Sequence, residues 1–359
     1  MLDVLKGWVR AWLSDEEAVY LLFLLLGGFA VVLLFGHMLA PVLTAIVLAY
    51  LMQGLVTALK RRGVPELAAV GLVFALFLAA LIATLVVLLP MIWRQTALLV
   101  RDQMPPMLQA TETWLRGLPQ RYPEVISMDQ VETLVGAAQH QLGQIGQSML
   151  TLSLSSIPNL VEIAVFLVVV PLLVFFFLKD RAQIVSWIGR FLPARRRVLD
   201  RVWAEMDDQM ANYVRGKALE ILLVGATAFI CYLIMGLNYT VLLSVLIGLS
   251  VVVPYIGATV ITLPVLAVAY VQFGWSGDLA LVMLVYGAIH FVDGNIVVPL
   301  LFSEAVNLHP VAIITAILFF GGLWGLWGVF FAIPLATLLN AVINAWPRSD
   351  QIGAAGGGQ

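Results

Sequence analysis

Residues 221–347 contain no lysine or arginine and only three acidic residues, Asp278, Asp293 and Glu304. A water-soluble domain needs a charged surface, so a third of a chain this apolar has no soluble fold open to it. An ionised side chain inside a bilayer costs roughly 2.5–3.5 kcal/mol on insertion scales. The segment therefore predicts membrane-spanning helices, and each charge that remains in it needs a reason.

The whole chain has the composition of a membrane protein. It is 62% hydrophobic and 11% charged, and its mean hydropathy is +1.01. The net charge of −2, with no basic tail or stripe, predicts no nucleic-acid partner. Cys231 is the only cysteine and the four histidines are scattered, so neither a metal site nor another cofactor is expected. The composition predicts an all-α polytopic membrane protein.

Uncharged runs of about 20 residues locate the first membrane spans. Residues 18–59 are long enough for two helices, and Gly36, His37 and Pro41 predict the turn between them. A third and a fourth span follow, and the later spans lie in the charge-poor region. The chain is then divided into an N-terminal helix with three spans (1–92), an extracytoplasmic amphipathic helical segment (93–156), the fourth span (157–178), a cytoplasmic amphipathic helical segment (179–216), a C-terminal transport region with interrupted helices (217–347) and a flexible cytoplasmic tail (348–359).

Basic residues predict the orientation. Residues 179–217 hold nine of the nineteen lysines and arginines, and residues 60–62 hold three more. Both groups lie on one side of the membrane if the spans are drawn as above, and the positive-inside rule makes that side the cytoplasm. We therefore expect a multi-pass protein of the bacterial inner membrane with both termini in the cytoplasm.

The outer segment predicts a helix with one apolar seam. Pro105, Pro106, Pro119 and Pro123 predict an interruption, after which Ser127 is a candidate helix N-cap. The seam packs on a neighbouring helix of the same chain or on another subunit. Its residues follow 4–3 spacing and are Val131, Val135, Ala138, Leu142, Ile145, Met149 and Leu152.

The cytoplasmic segment also shows helical spacing of apolar residues, with residues 195–197 as a basic flank and Pro193 as the expected helix start. We expect this helix at the membrane surface, with its arginines near anionic lipid headgroups. A face for a regulatory partner is the alternative.

The charge-poor region is interrupted at residues 236–239 and 254–257, and the second interruption predicts either a re-entrant hairpin or one kinked span. Residues 279–301 predict a span interrupted by Gly294 and stopped at Pro299. The glycines of residues 310–346 indicate either close helix packing or broken helices around a substrate site. The interruptions predicted to line the pathway are Pro254, Tyr255, Gly257, Gly294, Pro299, Gly321, Gly322, Gly325 and Gly328.

A polar island, residues 290–295, is the first candidate for transport and coupling. His290 and Asp293 are three residues apart and share a helix face. An imidazole beside a carboxylate suits a proton relay, and a structural hydrogen bond is the alternative. Asn295 supplies donors and an acceptor, or caps the helix beside Gly294. Glu220 is a further candidate, with a boundary residue that snorkels to the membrane surface as its other interpretation.

Short motifs in a fixed order resemble the autoinducer-2 exporter (AI-2E) family, also described as PerM-type permeases. Two positions, His290 and Lys217, carry residues where glutamine is typical of the family pattern. The resemblance covers most of the chain, and its motifs are Tyr213-Val214-Arg215-Gly216, Pro254-Tyr255-Ile256-Gly257, Asp293-Gly294-Asn295 before Pro299, and Leu308-His309-Pro310 before a glycine-rich terminal helix.

The resemblance implies an inner-membrane transporter of about eight spans without its own ATPase. It also implies a homo-oligomer, with a pentamer as one arrangement. Members are linked to export of autoinducer-2 or to exchange of sodium or lithium for protons. Tyr213, Arg215 and Gly216 open a span of this pattern, where they predict a cytoplasmic gate or a contact with lipid phosphate.

The sequence therefore favours a secondary transporter for a small polar solute or a monovalent cation, coupled to the proton gradient. No phosphate-binding loop is present, because Gly216-Lys217 lacks the leading glycine. An oligomeric passive channel and a Na⁺(Li⁺)/H⁺ antiporter are the alternatives. An assembly protein that docks through residues 127–152 is a further one, whereas no catalytic motif supports an intramembrane enzyme.

Overall fold

The computed structural model describes residues 16–121, 127–133, 135–137, 140, 157–193, 196–254, 256–302 and 309–345. Every regular element within these ranges is helical, and no strand occurs among them. The helices that lie wholly within these ranges are, in chain order, α1 (Glu16–Arg61), α2 (Glu66–Ala83), α3 (Leu89–Leu98), α4 (Met104–Arg121), α5 (Ile157–Lys179), α6 (Arg181–Gly189), α7 (Arg197–Ile234), α8 (Thr240–Ser250), α9 (Ile256–Phe273), α10 (Gly277–Val292), α11 (Val298–Phe302) and α12 (Pro310–Ala345).

The helices confirm an all-α polytopic membrane protein. Among the described residues, five helices are long and apolar enough to cross a membrane, and a sixth span forms if α5 and α6, bent by 83° at their junction, are counted as one. Three shorter apolar helices lie in the C-terminal half: Thr240–Ser250, Val311–Gly325 and Trp327–Asn340. The five spans are Met38–Arg61, Glu66–Asp102, Leu199–Ile234, Ile256–Phe273 and Gly277–Phe302.

The chain forms two compact units, and helices α2, α5 and α7 each contribute residues to both. The first unit lies within residues 1–76, 169–219 and 298–359, and the second within residues 77–168 and 220–297. The first unit includes α1, the N-terminal part of α7, and α12. The second unit includes α8, α9, α10 and the C-terminal part of α7.

The prediction of a turn at Gly36, His37 and Pro41 is wrong. Helix α1 runs without a break from Glu16 to Arg61, with Pro41 in its interior. A helix bonds its own backbone groups, so an uncharged run stays helical in lipid even where a proline removes one hydrogen bond. The predicted N-terminal hairpin is therefore absent, and the cytoplasmic placement of the N terminus loses the support that it took from that hairpin.

Three π-helical turns widen the helices just before prolines. They are π1 (Thr84–Leu88), π2 (Leu99–Gln103) and π3 (Asp293–Val297), and Pro90, Pro105 and Pro299 each stand two residues beyond one of them. In an α-helix, the proline ring clashes with the carbonyl four residues earlier. In each case that carbonyl lies in the π turn, where backbone hydrogen bonds join residues five apart instead of four apart. The wider turn accommodates the proline, and the helix continues.

This arrangement corrects two sequence predictions. The helical run from α2 through α4 continues across Pro105 and Pro106 and past Pro119, so these prolines do not interrupt it. The span that begins with α10 likewise does not stop at Pro299, because α11 continues to Phe302. Pro123 lies outside the described residues.

Ser127 caps a helix as predicted. The backbone N–H of Gln130 donates to the Ser127 Oγ at 3.3 Å, and the backbone N–H of Ser127 donates to the Gln130 Oε1 at 3.1 Å. These reciprocal bonds form a capping box. Val131 and Val135 of the predicted seam are buried, whereas Ala138, Leu142, Ile145, Met149 and Leu152 lie outside the described residues.

The expected helix start at Pro193 is wrong. Pro193 is not helical, and α7 begins at Arg197. Helix α6 leaves α5 at 83°, and Trp187, Ile188 and Phe191 at its end are exposed. Their exposure fits the predicted surface helix, although its position at the membrane stays a prediction.

Helices α8 and α9 form an antiparallel hairpin. The side chain of Gln272, at the end of α9, accepts from the backbone N–H of Asn238 at 2.7 Å and donates to the Gly236 carbonyl at 2.8 Å. Both partners lie just before α8, so the start of α8 and the end of α9 lie side by side. A single kinked span would place them at opposite ends. Since α8 has 11 residues, it covers about 16 Å, about half of the hydrocarbon core. Helices α8 and α9 therefore form a hairpin rather than one kinked span, and the re-entrant placement of this hairpin in the membrane stays a prediction.

Two glycine contacts fix this hairpin, which is named the first hairpin below. A Cβ on Gly257 would lie 1.8 Å from the Ser250 carbonyl oxygen, on the other side of the tip. A Cβ on Gly248 would lie 2.9 Å from the Ile221 carbonyl oxygen and 3.1 Å from the Gly225 Cα, both on α7. The glycines let backbones approach more closely than any side chain allows.

Replacing Gln272 with alanine should loosen the open end of the first hairpin. The change removes two hydrogen bonds, and because this end is partly exposed we expect a loss of about 1 kcal/mol in the free energy of unfolding. Thermal unfolding in a mild detergent measures the change. Gln120→Ala, at an exposed glutamine, is the control and should leave the unfolding temperature unchanged. Equal unfolding temperatures for both variants would contradict the proposed clamp.

Helix α12 contains a second hairpin. Gly325 has φ +58° and ψ −132°, a backbone conformation that favours glycine. In a straight helix, residues eight apart are separated by about 12 Å. A Cβ on Gly328 would instead lie 1.8 Å from the Phe320 carbonyl oxygen. The chain therefore reverses at Gly325, which confirms an interruption in the glycine-rich terminal run. The halves around Gly325 are named the terminal hairpin below.

Candidate functional site

The second unit contains the buried carboxylates of the described residues. Glu220 on α7 is 2% exposed and Asp293 at the end of α10 is 8% exposed. The interpretation of Glu220 as a residue that snorkels to the membrane surface is wrong, because its side chain is enclosed by the packed helices. A carboxylate is costly to bury unless it is hydrogen-bonded or paired, so these two positions differ from an ordinary surface acid.

Asp293 lies where α10 passes into the π3 turn. Its backbone N–H donates to the carbonyls of both Ile289 and His290. The π turn is needed because Pro299 follows two residues beyond it. The turn gives the helix a local change of register at the one acidic residue of this span that is buried.

His290 stands one turn before Asp293 and packs on Tyr286. The two rings meet edge to face with their centroids 4.6 Å apart. The Tyr286 hydroxyl donates to the Ala258 carbonyl at the tip of the first hairpin. The Thr262 hydroxyl oxygen lies 3.4 Å from the Tyr286 hydroxyl oxygen. The His290 ring is half-buried, and its Nε2 has no hydrogen-bond partner among the described residues.

Tyr286, His290 and Asp293 form a polar stripe along one face of α10. Their spacing of four and three residues places them one above another on a helix. The stripe runs from the buried carboxylate past the imidazole to the phenol, whose hydroxyl bonds the Ala258 carbonyl near the tip of the first hairpin. An open imidazole nitrogen in such a stripe can accept and release a proton. This site is named the polar stripe below.

The other residues of the predicted polar island do not join the polar stripe. Asn295 is exposed, and its side-chain amide donates to the carbonyl of Phe291 at 2.8 Å, a local bond inside the continuing helical run rather than a helix cap. Gly294 and Pro299 are exposed as well, and a Cβ on Gly294 would meet no other atom within 4 Å. Of the predicted coupling residues, the structure therefore aligns His290 with Asp293 only.

The predicted gate residues lie in the first unit, where two of them are packing residues. Tyr213 is buried, and its hydroxyl donates to the Phe330 carbonyl at 2.9 Å. A Cβ on Gly216 would lie 2.8 Å from the ring of Phe302. Arg215 is exposed and is the one member of this set placed to meet an anion.

The predicted pathway glycines have different environments. Gly257 and Gly328 are at hairpin contacts, and a Cβ on Gly321 would lie 2.8 Å from the Val329 side chain. Gly322 has no neighbour within 4 Å, and Tyr255 lies outside the described residues. None of these contacts tests whether the residues line a pathway, so that role stays a prediction.

Several polar residues that position the site were not predicted from the sequence. They are Tyr286, Gln272 and Gln95. The Gln95 Oε1 accepts from the backbone N–H of Leu242 at 2.8 Å, which satisfies a donor in the first turn of α8. Tyr286 and Gln272 are each a single polar residue in an apolar run, and Gln95 lies between Arg94 and Thr96. The 4–3 spacing of Tyr286 with His290 and Asp293 is the one signal that would have found one of them. No group of three or more His, Cys, Asp or Glu side chains that could hold a metal ion occurs among the described residues.

Sequence comparison identifies the type of protein. Residues 21–348 match the family described as AI-2E family transporter. The chain belongs to this family. A protein of Escherichia coli named as the permease PerM is 46% identical over 347 residues, which are 97% of this chain and 98% of PerM. Two Bacillus subtilis proteins named as transport proteins, YueF and YrrI, are 25% and 24% identical over 84% of this chain, and the matches cover 82% and 85% of their own lengths.

Membership in the AI-2E transporter family confirms the resemblance drawn from the short motifs. Together with the spanning helices, it makes this chain a multi-pass membrane transport protein. The names of the relatives point to transport rather than to catalysis.

Proposed function

We propose that this protein is a secondary transporter that moves a small polar solute or a monovalent cation across the bacterial inner membrane and couples this movement to protons. The observation that carries the proposal is the buried Asp293 at the end of the polar stripe. Acidic residues buried in spanning helices are rare and mark ion pathways and proton relays. A carboxylate that alternates between a proton and the transported species is what coupled transport requires.

In the proposed mechanism, Asp293 carries the proton in one state and faces the transported solute or cation in the other. His290 passes the proton, since its Nε2 has no partner among the described residues. Tyr286 transmits the change, because its hydroxyl is bonded to the Ala258 carbonyl at the tip of the first hairpin. Movement of that tip would open the site to alternate sides of the membrane, as broken helices do in other transporters.

The transported species belongs to one of two classes. A furanose-like signal such as autoinducer-2 is a small polar solute and would bind by hydrogen bonds. Sodium or lithium would instead bind the carboxylate directly, which makes the protein a Na⁺(Li⁺)/H⁺ antiporter. The two classes differ in whether the solute competes with the proton for Asp293.

The proposed orientation places the basic loops, residues 60–62 and 179–197, in the cytoplasm. We expect the C terminus on the same side, because a terminal hairpin returns the chain to the side from which it entered. Arginines near the membrane surface would contact lipid headgroups. A homo-oligomer, with a pentamer as one arrangement, remains part of the proposal.

Proteoliposomes with an internal pH-sensitive dye test the proposal. Sodium, lithium and a furanose-like signal are offered in turn under an imposed pH gradient. We expect one of them to cause proton movement that is absent from protein-free vesicles. Solute flux at full rate without any ion gradient would contradict coupling. Large unitary currents in a planar bilayer would identify the passive channel instead.

A further inference from the structure

The first unit contains an apolar cavity of about 690 Å³, within the range of small-molecule sites. Residues of α1, α7 and α12 line it. Trp203 comes from α7, and Trp324 and Trp327 stand on either side of the Gly325 break. The Trp324 Nε1 is a buried donor without an acceptor among the described residues.

One end of this cavity is closed by a polar bridge. The Tyr50 hydroxyl donates to the Asp207 Oδ1 at 2.7 Å. The Arg181 guanidinium donates to the same oxygen at 2.7 Å and lies 5.9 Å from the centroid of the Tyr50 ring. The three side chains come from α1, α6 and α7, and they hold the polar end of the cavity in one arrangement.

A second cavity of about 500 Å³ lies on the other side of this bridge, and Tyr50 and Asp207 line both cavities. The second cavity is basic. Four arginines line it against two acids, Asp207 and Asp208. The arginines are Arg61, Arg62, Arg181 and Arg215.

We propose that the two cavities form one binding site for an anionic amphiphile, a molecule with a single long alkyl chain and a phosphate or carboxylate head. The tryptophan-lined cavity takes the alkyl chain, and the excess of guanidinium groups in the basic cavity takes the head. Guanidinium groups bind phosphate and carboxylate through paired hydrogen bonds, which suits such a head. A neutral or cationic head would leave the four arginines without a partner from the ligand.

This site is independent of the polar stripe, because all of its residues belong to the first unit. It also involves different chemistry from the small polar solute of the proposed function. Dodecyl phosphate and dodecanoate represent the two head groups on the same chain. A free phosphate ion has the head without the chain, and dodecanol has the chain without the charge.

Binding is measured by tryptophan fluorescence of the full chain in maltoside micelles. Each probe is titrated as a mole fraction of the micelle, and empty micelles give the background. We expect one or both anionic amphiphiles to bind at least about tenfold more tightly than dodecanol or inorganic phosphate. Preference between the two anions identifies the head group. Equal binding of dodecanol, or no saturable binding of either anion, would overturn the proposal.

Two variants test the two ends of the site separately. The double variant Arg61→Gln, Arg215→Gln removes charge from the basic cavity, and Ala40→Trp fills part of the apolar cavity, which Ala40 lines. Each should weaken binding of the anionic amphiphile by about tenfold or more. Arg201→Gln is the matched control, because Arg201 is exposed on α7 and lines neither cavity.

The control variant should bind as the wild type does. An equal loss in the Arg201→Gln variant would show attraction to overall positive charge and would overturn the site. Thermal unfolding without ligand checks that each variant is folded. If one variant fails that check, the other still decides the outcome.

Discussion

Gly257→Ala should disrupt the first hairpin and destabilise the protein by on the order of 3 kcal/mol. The new Cβ would lie 1.8 Å from the Ser250 carbonyl oxygen and 2.7 Å from the Ser250 carbonyl carbon. Both atoms belong to the backbone, so no change of rotamer can relieve the overlap. The tip must open, and the carbonyl of Ala258 that accepts from Tyr286 moves with it. Transport should be lost together with stability.

Gly287→Ala is the matched control for this change. Gly287 lies inside α10, and a Cβ there would have no neighbour within 4 Å. Alanine favours a helix over glycine by about 1 kcal/mol, so the control should be unchanged or slightly more stable. Thermal unfolding in detergent and transport by the reconstituted protein compare the two variants. Equal behaviour of Gly257→Ala and Gly287→Ala would contradict the close contact at the hairpin tip.

Asp293→Asn should abolish proton coupling while the protein remains folded. The amide has nearly the same shape as the carboxylate, but it cannot carry an exchangeable acidic proton or a full negative charge. Proton transfer by a positioned side chain contributes about 100-fold or more to a rate, so coupled proton flux should fall by at least about 100-fold. The proteoliposome assay with an internal pH-sensitive dye measures this flux.

The control for this prediction is Asp278→Asn, at an exposed acid in the first turn of the same helix. It should retain coupled flux. His290→Gln should give an intermediate loss, because Asp293 keeps its proton but loses the open imidazole nitrogen beside it. Full coupled flux in the Asp293→Asn variant would assign Asp293 a structural role and end the proposed mechanism.

Much of the fold follows from local chemistry, which a single sequence displays. The interruptions at residues 236–239 and 254–257 were predicted because glycine and proline end helices, and both are present. The Ser127 cap was predicted from the same kind of local rule. The choice between a hairpin and a kinked span needed the bonds of Gln272 to Gly236 and Asn238, which join residues more than thirty positions apart.

The wrong predictions concern residues whose local sequence rule is overridden by the structure around them. Pro105 and Pro299 end no helix, because the π turns before them remove the clash that the rule assumes. Glu220 was also interpreted as a boundary residue because it is charged and stands near Lys217. Its burial depends on side chains of other helices, which the sequence around it does not show.

The candidate sites divide in the same way. The spacing of His290 and Asp293 predicted a shared face, and the structure adds Tyr286 to it. The two cavities of the first unit could not be predicted, because Tyr50, Arg181 and Asp207 come from distant segments. Their residue types carry no motif, and only their packing creates an apolar cavity beside a basic one.

The most direct measurement is uphill proton movement in sealed proteoliposomes. The vesicles begin with equal pH on both sides and a clamped membrane potential, and only the solute that gave a response in the earlier assay is present as a gradient. A coupled transporter must convert that gradient into a pH difference, and we expect one to build in the wild type and to be absent in Asp293→Asn. Equilibration of the solute without any change of internal pH would contradict coupling and would favour a passive channel.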